Sequence, residues 1–409
     1  MKILMLPAYF YPEKVSSSYL TENRNEAFIE SGIEITIYTP MPTRGVDNDL
    51  KQLYKYKKNE QYYNGKMVVN RFSMIDEKSG YVIRGIRYFL CWIKQLYFGV
   101  LAKDIDLIYL ASTPPIQGML GGILKKIKKV PFVYNLQDIF PDSLVGTEIA
   151  KKNSILWKIG RKIENFTYRN ADKIIVISEG FKKNIMDKGV SEDKIEVIYN
   201  WVDEEAVKEI SRDDNLLFDR YNLDRNKFYI TYCGNIGMTQ NLDMLLDVAK
   251  ELEYIDNIHF VLIGNGAYKD RVEDVVRERD INNVTLLPFQ PYEDISHVFS
   301  LGNVGLVISK PGVGENSVPS KTWSILSASR PVLASFDENE LKSIIEKNHC
   351  GLFTKANDKE ALIKSILELY NNPKLCIELG KNGRKFILSC LTKDVGTQKY
   401  VNAILKFDK

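Results

Sequence analysis

Short apolar runs alternate with amphipathic helical segments along almost the whole chain. The strand-like runs include residues 2–6, 33–38 and 67–72 in the first half, and residues 229–233 and 259–263 in the second. This alternation is typical of parallel α/β layers, in which a helix follows each strand. With 409 residues, the chain is too long for one core of ordinary size. The sequence therefore predicts an α/β fold of two Rossmann-like domains that face each other across a cleft.

The two series of strands are separated by an acidic stretch, residues 203–224, which we interpret as the connection between domains. We expect a first domain over residues 1–200 and a second over residues 201–385. Residues 386–409 are predicted to form a helix that packs back on the first domain. Residues 41–66 are polar, irregular and rich in Lys and Tyr, so they are expected to form a loop-rich excursion.

Charge is distributed unevenly between the two halves. Residues 1–200 contain 30 Lys and Arg against 22 Asp and Glu, whereas residues 201–409 contain 26 against 31. The basic half is expected to meet an anionic partner, such as a membrane surface or a phosphate-bearing acceptor. A generally lysine-rich composition is the alternative explanation. No feature of the sequence indicates a nucleic-acid partner.

Cysteine usage and the start of the chain indicate the compartment. The five cysteines lie far apart and form no C-x-x-C pair, which is typical of reduced thiols that bind no metal. The opening residues are interpreted as a first strand, because they are too short for a signal peptide and lack a cleavage site. We therefore expect a cytoplasmic protein, either free or peripheral at the inner face of the cytoplasmic membrane.

Residues 84–103 form the most apolar helical segment, and Lys94 interrupts it. No apolar run reaches the roughly 18 residues that a membrane-spanning helix requires. The aromatic residues and the flanking basic residues are typical of an interfacial helix. A core helix of the first domain explains the same pattern, and the periodicity favours it. A last helical pattern covers residues 380–407.

A strand, a loop and a helix in residues 304–333 have the layout of an anion-binding site. The loop carries Gly312, Gly314 and Glu315. The helix is expected to begin near Pro319, which suits a first helical turn, with Ser317 as its cap. Unpaired N–H groups and the positive end of the helix dipole would then face a phosphate or diphosphate.

Two lysines, Lys310 and Lys321, bracket this loop with positive charge. The alternative interpretation is an ordinary β-loop-α unit with surface lysines. Further glycines follow the strands upstream, with Gly234 and Gly237 after one strand and Gly264 after the next, accompanied by Gly266. They complete no G-x-G-x-x-G motif, but each lets the backbone approach a ligand closely. Together the three loops predict a nucleotide-diphosphate pocket.

Several short motifs occur in a defined order along the chain. In the first half they are FYPE, ESGIEITIYTP, STPP, NLQDIFPDS, IIVISEG and IEVIYNWVD. In the second half they are GNIG followed by Gln240, then VLIGNG, LLPFQPYEDI and VPSKTWSILSASRPVLAS. In this order they resemble the retaining GT-B glycosyltransferases of family 4. The branch that is most similar builds bacterial O-antigen and capsule and includes N-acetylfucosamine transferases.

The resemblance implies transfer of a sugar from a UDP- or GDP-sugar, with UDP favoured, retention of the anomeric configuration and no metal or other cofactor. It implies a saccharide or polyprenyl-diphosphate-linked acceptor. Lys310, Lys321 and the backbone at Ser320 are our candidates to hold the diphosphate. Pro288 and Phe289 would border the base.

The sequence departs from the family at two places. Asn235 and Gln240 occupy the positions at which the family often carries Arg and Lys. The family's E-x7-E motif falls on Asn316 and Ser324, so Glu315 is our candidate for contact with the donor sugar.

All three histidines lie in the second half, so the predicted acceptor domain contains none. This favours a retaining transfer, in which the leaving phosphate takes the proton, over an inverting reaction that needs a positioned base. Asp138 and Glu179 are the carboxylates that could contact the acceptor, although a turn or cap role explains Asp138 equally well. A nucleotide-sugar epimerase and a non-catalytic nucleotide-binding protein remain alternatives.

Overall fold

The computed structural model describes residues 1–13, 18–76, 81–146, 151–315 and 318–408. The chain divides into two compact units. The first unit is Met1–Tyr199 together with Thr397–Lys409, and the second is Asn200–Gly396. Each unit contains its own sheet. The expected α/β class is confirmed.

The first unit is built on an eight-stranded sheet with the order β3-β4-β2-β1-β5-β6-β7-β8. Neighbouring strands are parallel, except that β3 pairs antiparallel with β4. The strands are β1 (Lys2–Met5), β2 (Glu34–Pro40), β3 (Asn59–Tyr62), β4 (Met67–Phe72), β5 (Leu107–Ala111), β6 (Phe132–Leu136), β7 (Lys173–Val176) and β8 (Ile195–Val197). The central strands are apolar on both faces because helices cover both faces.

The helices of this unit are α1 (Ser18–Glu30), α2 (Asn48–Tyr54), α3 (Tyr81–Leu101), α4 (Gln117–Lys128), α5 (Asp142–Gly146), α6 (Ile155–Asn170) and α7 (Glu179–Asp187). Glycines let α4 lie close to its neighbours. A β-carbon at Gly121 would be 2.3 Å from the Phe132 ring on β6, and one at Gly118 would be 2.3 Å from Thr167 on α6. Among the described residues, no helix is both long enough and apolar enough to cross a membrane.

The second unit is built on a six-stranded parallel sheet with the order β11-β10-β9-β12-β13-β14. Its strands are β9 (Phe228–Cys233), β10 (Ile258–Ile263), β11 (Val284–Leu287), β12 (Val304–Ile308), β13 (Val332–Phe336) and β14 (Gly351–Lys355). The chain winds outward from β9 through β10 to β11, and then returns to add β12 on the other side. Ligands of open α/β sheets bind at such a switch point, at the carboxyl ends of the strands.

The helices of the second unit are α8 (Leu216–Arg220), α9 (Leu242–Glu251), α10 (Lys269–Glu278), α11 (Ile295–Ser300), α12 (Lys321–Ser327), α13 (Glu340–Lys347), α14 (Lys359–Asn371) and α15 (Pro373–Cys390). The final helix, α16 (Lys393–Leu405), begins within the second unit, and its residues from Thr397 onward belong to the first. There the Tyr400 hydroxyl donates to Asn135 Oδ1 at 3.1 Å.

Two sequence expectations about regular structure were wrong. Residues 41–66 contain α2 and the edge strand β3. The polar sequence of β3 hides the strand, because an edge strand needs no continuous apolar face. The tail is helical over most of residues 380–407, as predicted, but it is divided between α15 and α16, so the single helix expected over residues 386–409 was wrong. Thr392 separates the two helices, and its hydroxyl accepts the Val395 N–H at 3.3 Å as an N-cap.

Gly121→Ala is expected to lower the free energy of unfolding by about 1–3 kcal/mol, because the added methyl group overpacks the contact with Phe132. Gly85→Ala is a matched change in α3, where a β-carbon meets no atom within 4 Å. It should raise the free energy of unfolding by about 0.5–1 kcal/mol, because glycine is unfavourable within a helix. Urea unfolding measures the free energy of unfolding of both variants. Equal effects of the two substitutions would contradict this packing.

Candidate active site

Four loops of the second unit lie side by side at one edge of the sheet. They follow β11, β10, β9 and β12, which are consecutive neighbours in the sheet. The loop after β12 is tied to the loop after β9, because the Lys310 N–H donates to the Thr239 carbonyl at 2.8 Å. The sequence-predicted residues of these loops are therefore brought together at the switch point.

Lys321 is the most unusual charged residue of this edge. Its Nζ lies 3.8 Å from the centroid of the Tyr232 ring, and a β-carbon at Gly234 would be 3.0 Å from that Nζ. Among the described residues, Lys321 forms neither an ion pair nor a side-chain hydrogen bond. Burial lowers the pKa of Lys321 to about 8, with only the nearby Cys233 acting in the opposite direction. An enclosed cation without an anionic partner is suited to bind an anion.

The helix start differs from the sequence prediction. Helix α12 begins at Lys321 and not near Pro319, and it contains only seven residues. The Thr322 N–H donates to the Pro319 carbonyl at 2.9 Å, and the Trp323 N–H donates to the Ser320 carbonyl at 3.1 Å. These two first-turn N–H groups are therefore already satisfied within the turn. The predicted cap Ser317 lies outside the described residues, as does Asn316.

Ser320 and Ser324 belong to the same short segment. Ser320 is exposed, precedes the helix and makes no side-chain cap hydrogen bond. Ser324 is half-buried on α12, three residues after Lys321. The positive charge of Lys321, and not the helix terminus, is thus the main attraction for an anion in this segment.

The predicted glycines also hold the loops against one another. A β-carbon at Gly264 would be 1.9 Å from the Gly234 carbonyl oxygen, and one at Gly266 would be 2.2 Å from the Ile236 carbonyl oxygen. The φ angle of Gly264 is +152°, which L side chains rarely adopt. Sequence analysis proposed that these glycines admit a ligand. The structure adds that they let the loop after β10 pack on the loop after β9.

Polar side chains fix the shape of the loop after β9. Gln240 Oε1 accepts the Gly237 N–H at 3.1 Å, and the Tyr232 hydroxyl donates to the Asn235 carbonyl at 2.6 Å. A β-carbon at Gly237 would be 2.6 Å from Asn235 Nδ2. Gln240 is therefore engaged in the loop itself, at a position where the related enzymes often place a cation.

The loop after β12 is anchored by an aspartate that sequence analysis missed. The Asp337 carboxylate accepts the Gly312 N–H at 2.9 Å and the Gly314 N–H at 2.8 Å. Glu315 follows this anchor and is exposed, and Lys310 precedes it and is half-buried. The position of Asp337 directly after β13, at the same sheet edge, is the signal that could have identified it.

Pro288 and Phe289 lie in the loop after β11, at the edge of the sheet, and Phe289 is 75% exposed. An exposed aromatic ring at this position offers a surface on which a planar base could stack. Within the described ranges, no three His, Cys, Asp or Glu side chains form a group that could hold a metal ion. The absence of a metal requirement stays a prediction.

Asp138 belongs to the first unit and follows β6 at the carboxyl edge of that sheet. Its backbone N–H donates to the Ser112 hydroxyl at 3.1 Å, and its carboxylate accepts the Ser143 hydroxyl at 3.0 Å. The carboxyl group is exposed to solvent on one side. Its pKa is raised, because surrounding protein removes water and Asp142 repels its charge, while the Ser143 hydrogen bond opposes the change.

The first unit also contains Glu13, a carboxylate to which the sequence motifs assigned no role. Glu13 ends the FYPE motif and is buried, and it accepts the N–H groups of Thr43 and Arg44 at 2.8 Å each. Burial raises its pKa despite these hydrogen bonds and the nearby Arg87. Glu13 thus joins the loop after β1 to the loop after β2, beside the switch point of the first sheet.

Comparison with known families agrees with this division of the chain. Residues 22–206 match the family described as Glycosyltransferase Family 4, and residues 213–386 match Glycosyl transferases group 1. The chain belongs to the glycosyltransferases. The activity class that the sequence motifs implied is therefore confirmed, whereas retention and the O-antigen branch stay predictions.

Two relatives illustrate the similarity. The chain is 26% identical over 269 residues to a probable glycosyltransferase, WbjE, of Pseudomonas aeruginosa, covering 66% of this chain and 67% of the relative. It is 23% identical over 388 residues to a putative colanic acid biosynthesis glycosyl transferase, WcaI, of Escherichia coli strain K12, covering 91% and 93%.

Solved structures share the fold. A sucrose-phosphate synthase from Thermosynechococcus elongatus gives a TM-score of 0.79 at 15% identity and covers 99% of this glycosyltransferase and 98% of the synthase. Anabaena HepE in complex with UDP-glucose gives a TM-score of 0.72 at 16% identity, covering 99% of each chain. The predicted two-domain GT-B fold is confirmed.

Affinity for UDP is expected to decrease as the pH rises above about 8. Lys321 loses its proton through this range in the ligand-free protein, and a neutral amine does not attract a diphosphate. One proton linked to binding changes affinity by up to about tenfold per pH unit. Titration calorimetry between pH 7 and 9.5 measures the change.

Lys321→Met should bind UDP weakly with little pH dependence, and Lys310→Met should keep the pH dependence of the wild type. A wild-type affinity that stays constant over this range would contradict the assignment of Lys321 to the diphosphate.

Proposed function

We propose that this glycosyltransferase moves a sugar from a UDP-sugar to a saccharide or polyprenyl-diphosphate-linked acceptor during the synthesis of a surface polysaccharide. The observation that carries the proposal is the Lys321 ammonium, which is enclosed beside Gly234 and has no anionic partner among the described residues. The diphosphate of a nucleotide sugar carries two negative charges. Lys321 and Lys310 supply two positive charges at the same sheet edge.

The nature of the donor is supported by related structures. HepE has been solved with UDP and with UDP-glucose, and TarM of Staphylococcus aureus has been solved with UDP. In this chain, the base would stack near the exposed Phe289, and the diphosphate would lie beside Gly234 and Lys321. GDP-sugars remain the second donor class that an assay must include. The link to surface polysaccharides is supported by WcaI, a relative whose name refers to colanic acid synthesis.

We further propose that the transfer retains the anomeric configuration. The acceptor hydroxyl oxygen forms a bond to the anomeric carbon on the face from which the bond to the diphosphate oxygen breaks. The proton of the hydroxyl passes to the departing diphosphate, so no separate base is required. Lys321 and Lys310 stabilise the charge that develops on the diphosphate. Glu315 contacts the donor sugar and Asp138 orients the acceptor hydroxyl, so that the reactants are held in place.

The transfer is tested by incubating the full chain with UDP- and GDP-sugars, with and without a polyprenyl-diphosphate-linked saccharide. We expect release of UDP that depends on the acceptor, and nuclear magnetic resonance of the product should show the anomeric configuration of the donor. Lys321→Met should lower kcat/KM by about 10²–10³, as loss of one charge-stabilising group does. Lys364→Met, an exposed lysine on α14, is the matched control.

Interconversion of the nucleotide sugar without acceptor would instead identify an epimerase. UDP binding without turnover over the whole panel of sugars and acceptors would identify a non-catalytic protein. Inversion of the configuration would refute the same-face mechanism.

Lys321→Met should also make the ligand-free protein more stable at pH 7, by about 1–3 kcal/mol after the lost contact with the Tyr232 ring is counted. Folding lowers the pKa of Lys321 from 10.5 to about 8, so at pH 7 the group is protonated in both states and the folded state carries the full cost of its burial. This cost shrinks as the pH rises above 8, because the folded protein then releases the proton. Thermal unfolding at pH 7 and 9.5 measures both effects.

The same variant should lose the increase in melting temperature that UDP produces in the wild type. Lys364→Met should change neither the stability of the ligand-free protein nor the rise in melting temperature that UDP produces. A Lys321→Met protein that is less stable than the wild type without ligand would mean that Lys321 stabilises the ligand-free fold. That result would contradict its assignment as an anion-binding group.

A further inference from the structure

Helix α3 exposes a continuous apolar stripe. Seven residues at helical spacing are between 38% and 61% exposed: Ile83, Ile86, Leu90, Ile93, Tyr97, Val100 and Leu101. Phe89, 53% exposed, lies beside them. The stripe runs over the 19 residues from Ile83 to Leu101, whose ends are about 27 Å apart along the helix. A water-soluble protein rarely leaves such a length of aliphatic surface uncovered.

The inward face of the same helix mixes polar and apolar side chains. Gln95 is fully buried, and its Nε2 donates to the carbonyls of Leu6 and Pro7 at 2.9 Å each, just after β1. Trp92, Leu96 and Phe98 pack against buried apolar clusters of the first unit. Helix α3 therefore has apolar side chains on both faces, whereas an ordinary surface helix is polar on its outward face. The structure thus shows a helix that packs on the core and that also exposes an apolar stripe.

The surroundings of the stripe are basic. Neither α3 nor the adjacent α4 contains an Asp or Glu. Lys94 and Lys103 are exposed along α3 and just after its end, and Lys126 and Lys129 are exposed on α4 and after it. Asp104 and Asp106 are exposed acidic residues that follow the end of the stripe.

Helix α6 packs on α4. At its start it exposes Ile155, Leu156 and Ile159, which are 80%, 48% and 52% exposed. The exposed Lys158 and Lys162 accompany them. The start of α6 thus presents a second set of exposed aliphatic side chains among lysines.

We propose that the exposed faces of α3 and of the start of α6 bind the surface of an anionic lipid bilayer. Aliphatic and aromatic side chains enter the boundary between headgroups and acyl chains, and the lysines pair with acidic headgroups, as for helices that lie in the membrane plane. A second copy of the chain fits the surface less well. A two-fold interface would bring the lysines of the two copies to the same contact, where like charges repel. The proposal does not rest on the donor chemistry of the second unit.

The proposal is tested by flotation of the full chain with vesicles of phosphatidylcholine alone and of phosphatidylcholine with 30% phosphatidylglycerol. We expect binding to the anionic vesicles that is at least tenfold tighter than binding to the neutral ones, and that weakens with salt. The triple variant Ile86→Ser, Leu90→Ser and Ile93→Ser should bind at least tenfold more weakly. The lysine variant Lys103→Gln with Lys126→Gln should lose much of the preference for anionic vesicles.

The matched control carries Tyr254→Ser, Ile377→Ser and Leu388→Ser, three exposed apolar residues of the second unit that are 75%, 59% and 49% exposed. It should bind vesicles as the wild type does. A single cooperative thermal unfolding transition close to that of the wild type shows that each variant is folded, independently of vesicle and nucleotide binding. Absence of binding to anionic vesicles, an equal loss in the control, or a dimer in light scattering that the α3 variant dissociates would each overturn the proposal.

Discussion

The contact between the Lys321 ammonium and the Tyr232 ring is the constraint on which the candidate site depends. The ring approaches the cation to 3.8 Å, yet a ring cannot neutralise a full charge, and no carboxylate among the described residues does so. Burial lowers the pKa of Lys321, because the charged form loses its contact with water. A protein that needed only stability would place an apolar side chain here. The buried Lys321 ammonium therefore lowers the stability of the ligand-free protein, and a bound anion would offset this cost.

The loops around Lys321 pack closely because several of their residues are glycines. Gly264 and Gly266 let the loop after β10 pack on the loop after β9 at distances that no β-carbon permits. Gly234 leaves room for the Lys321 side chain. These glycines and the strands before them could be predicted from the sequence, because both depend on local patterns: apolar runs of strand length and glycine after a strand. The GT-B fold followed from their repetition over two series and from the family motifs.

Other features were missed for two different reasons. The start of α12 is a local feature, since its first N–H groups donate to the carbonyls of Pro319 and Ser320 only three residues earlier, and the preference of proline for a first helical turn placed the start two residues too early. The others depend on partners distant in the sequence. Asp337 acts on Gly312 and Gly314 only because β12 and β13 are neighbours in the sheet. The edge strand β3 has a polar sequence that resembles a loop until its antiparallel pairing with β4 is known.

Helix α3 shows the same limit in a stronger form. Its periodicity correctly identifies an amphipathic helix, but periodicity does not say which side faces inward. The carbonyls just after β1 accept two hydrogen bonds from Gln95 and so make this polar side chain acceptable in the interior, where Trp92, Leu96 and Phe98 also pack. Other apolar side chains remain on the outward face, and the cost of their exposure to water persists until a second surface covers them. Only the tertiary contacts show which apolar residues of the helix lie inside and which form the exposed stripe.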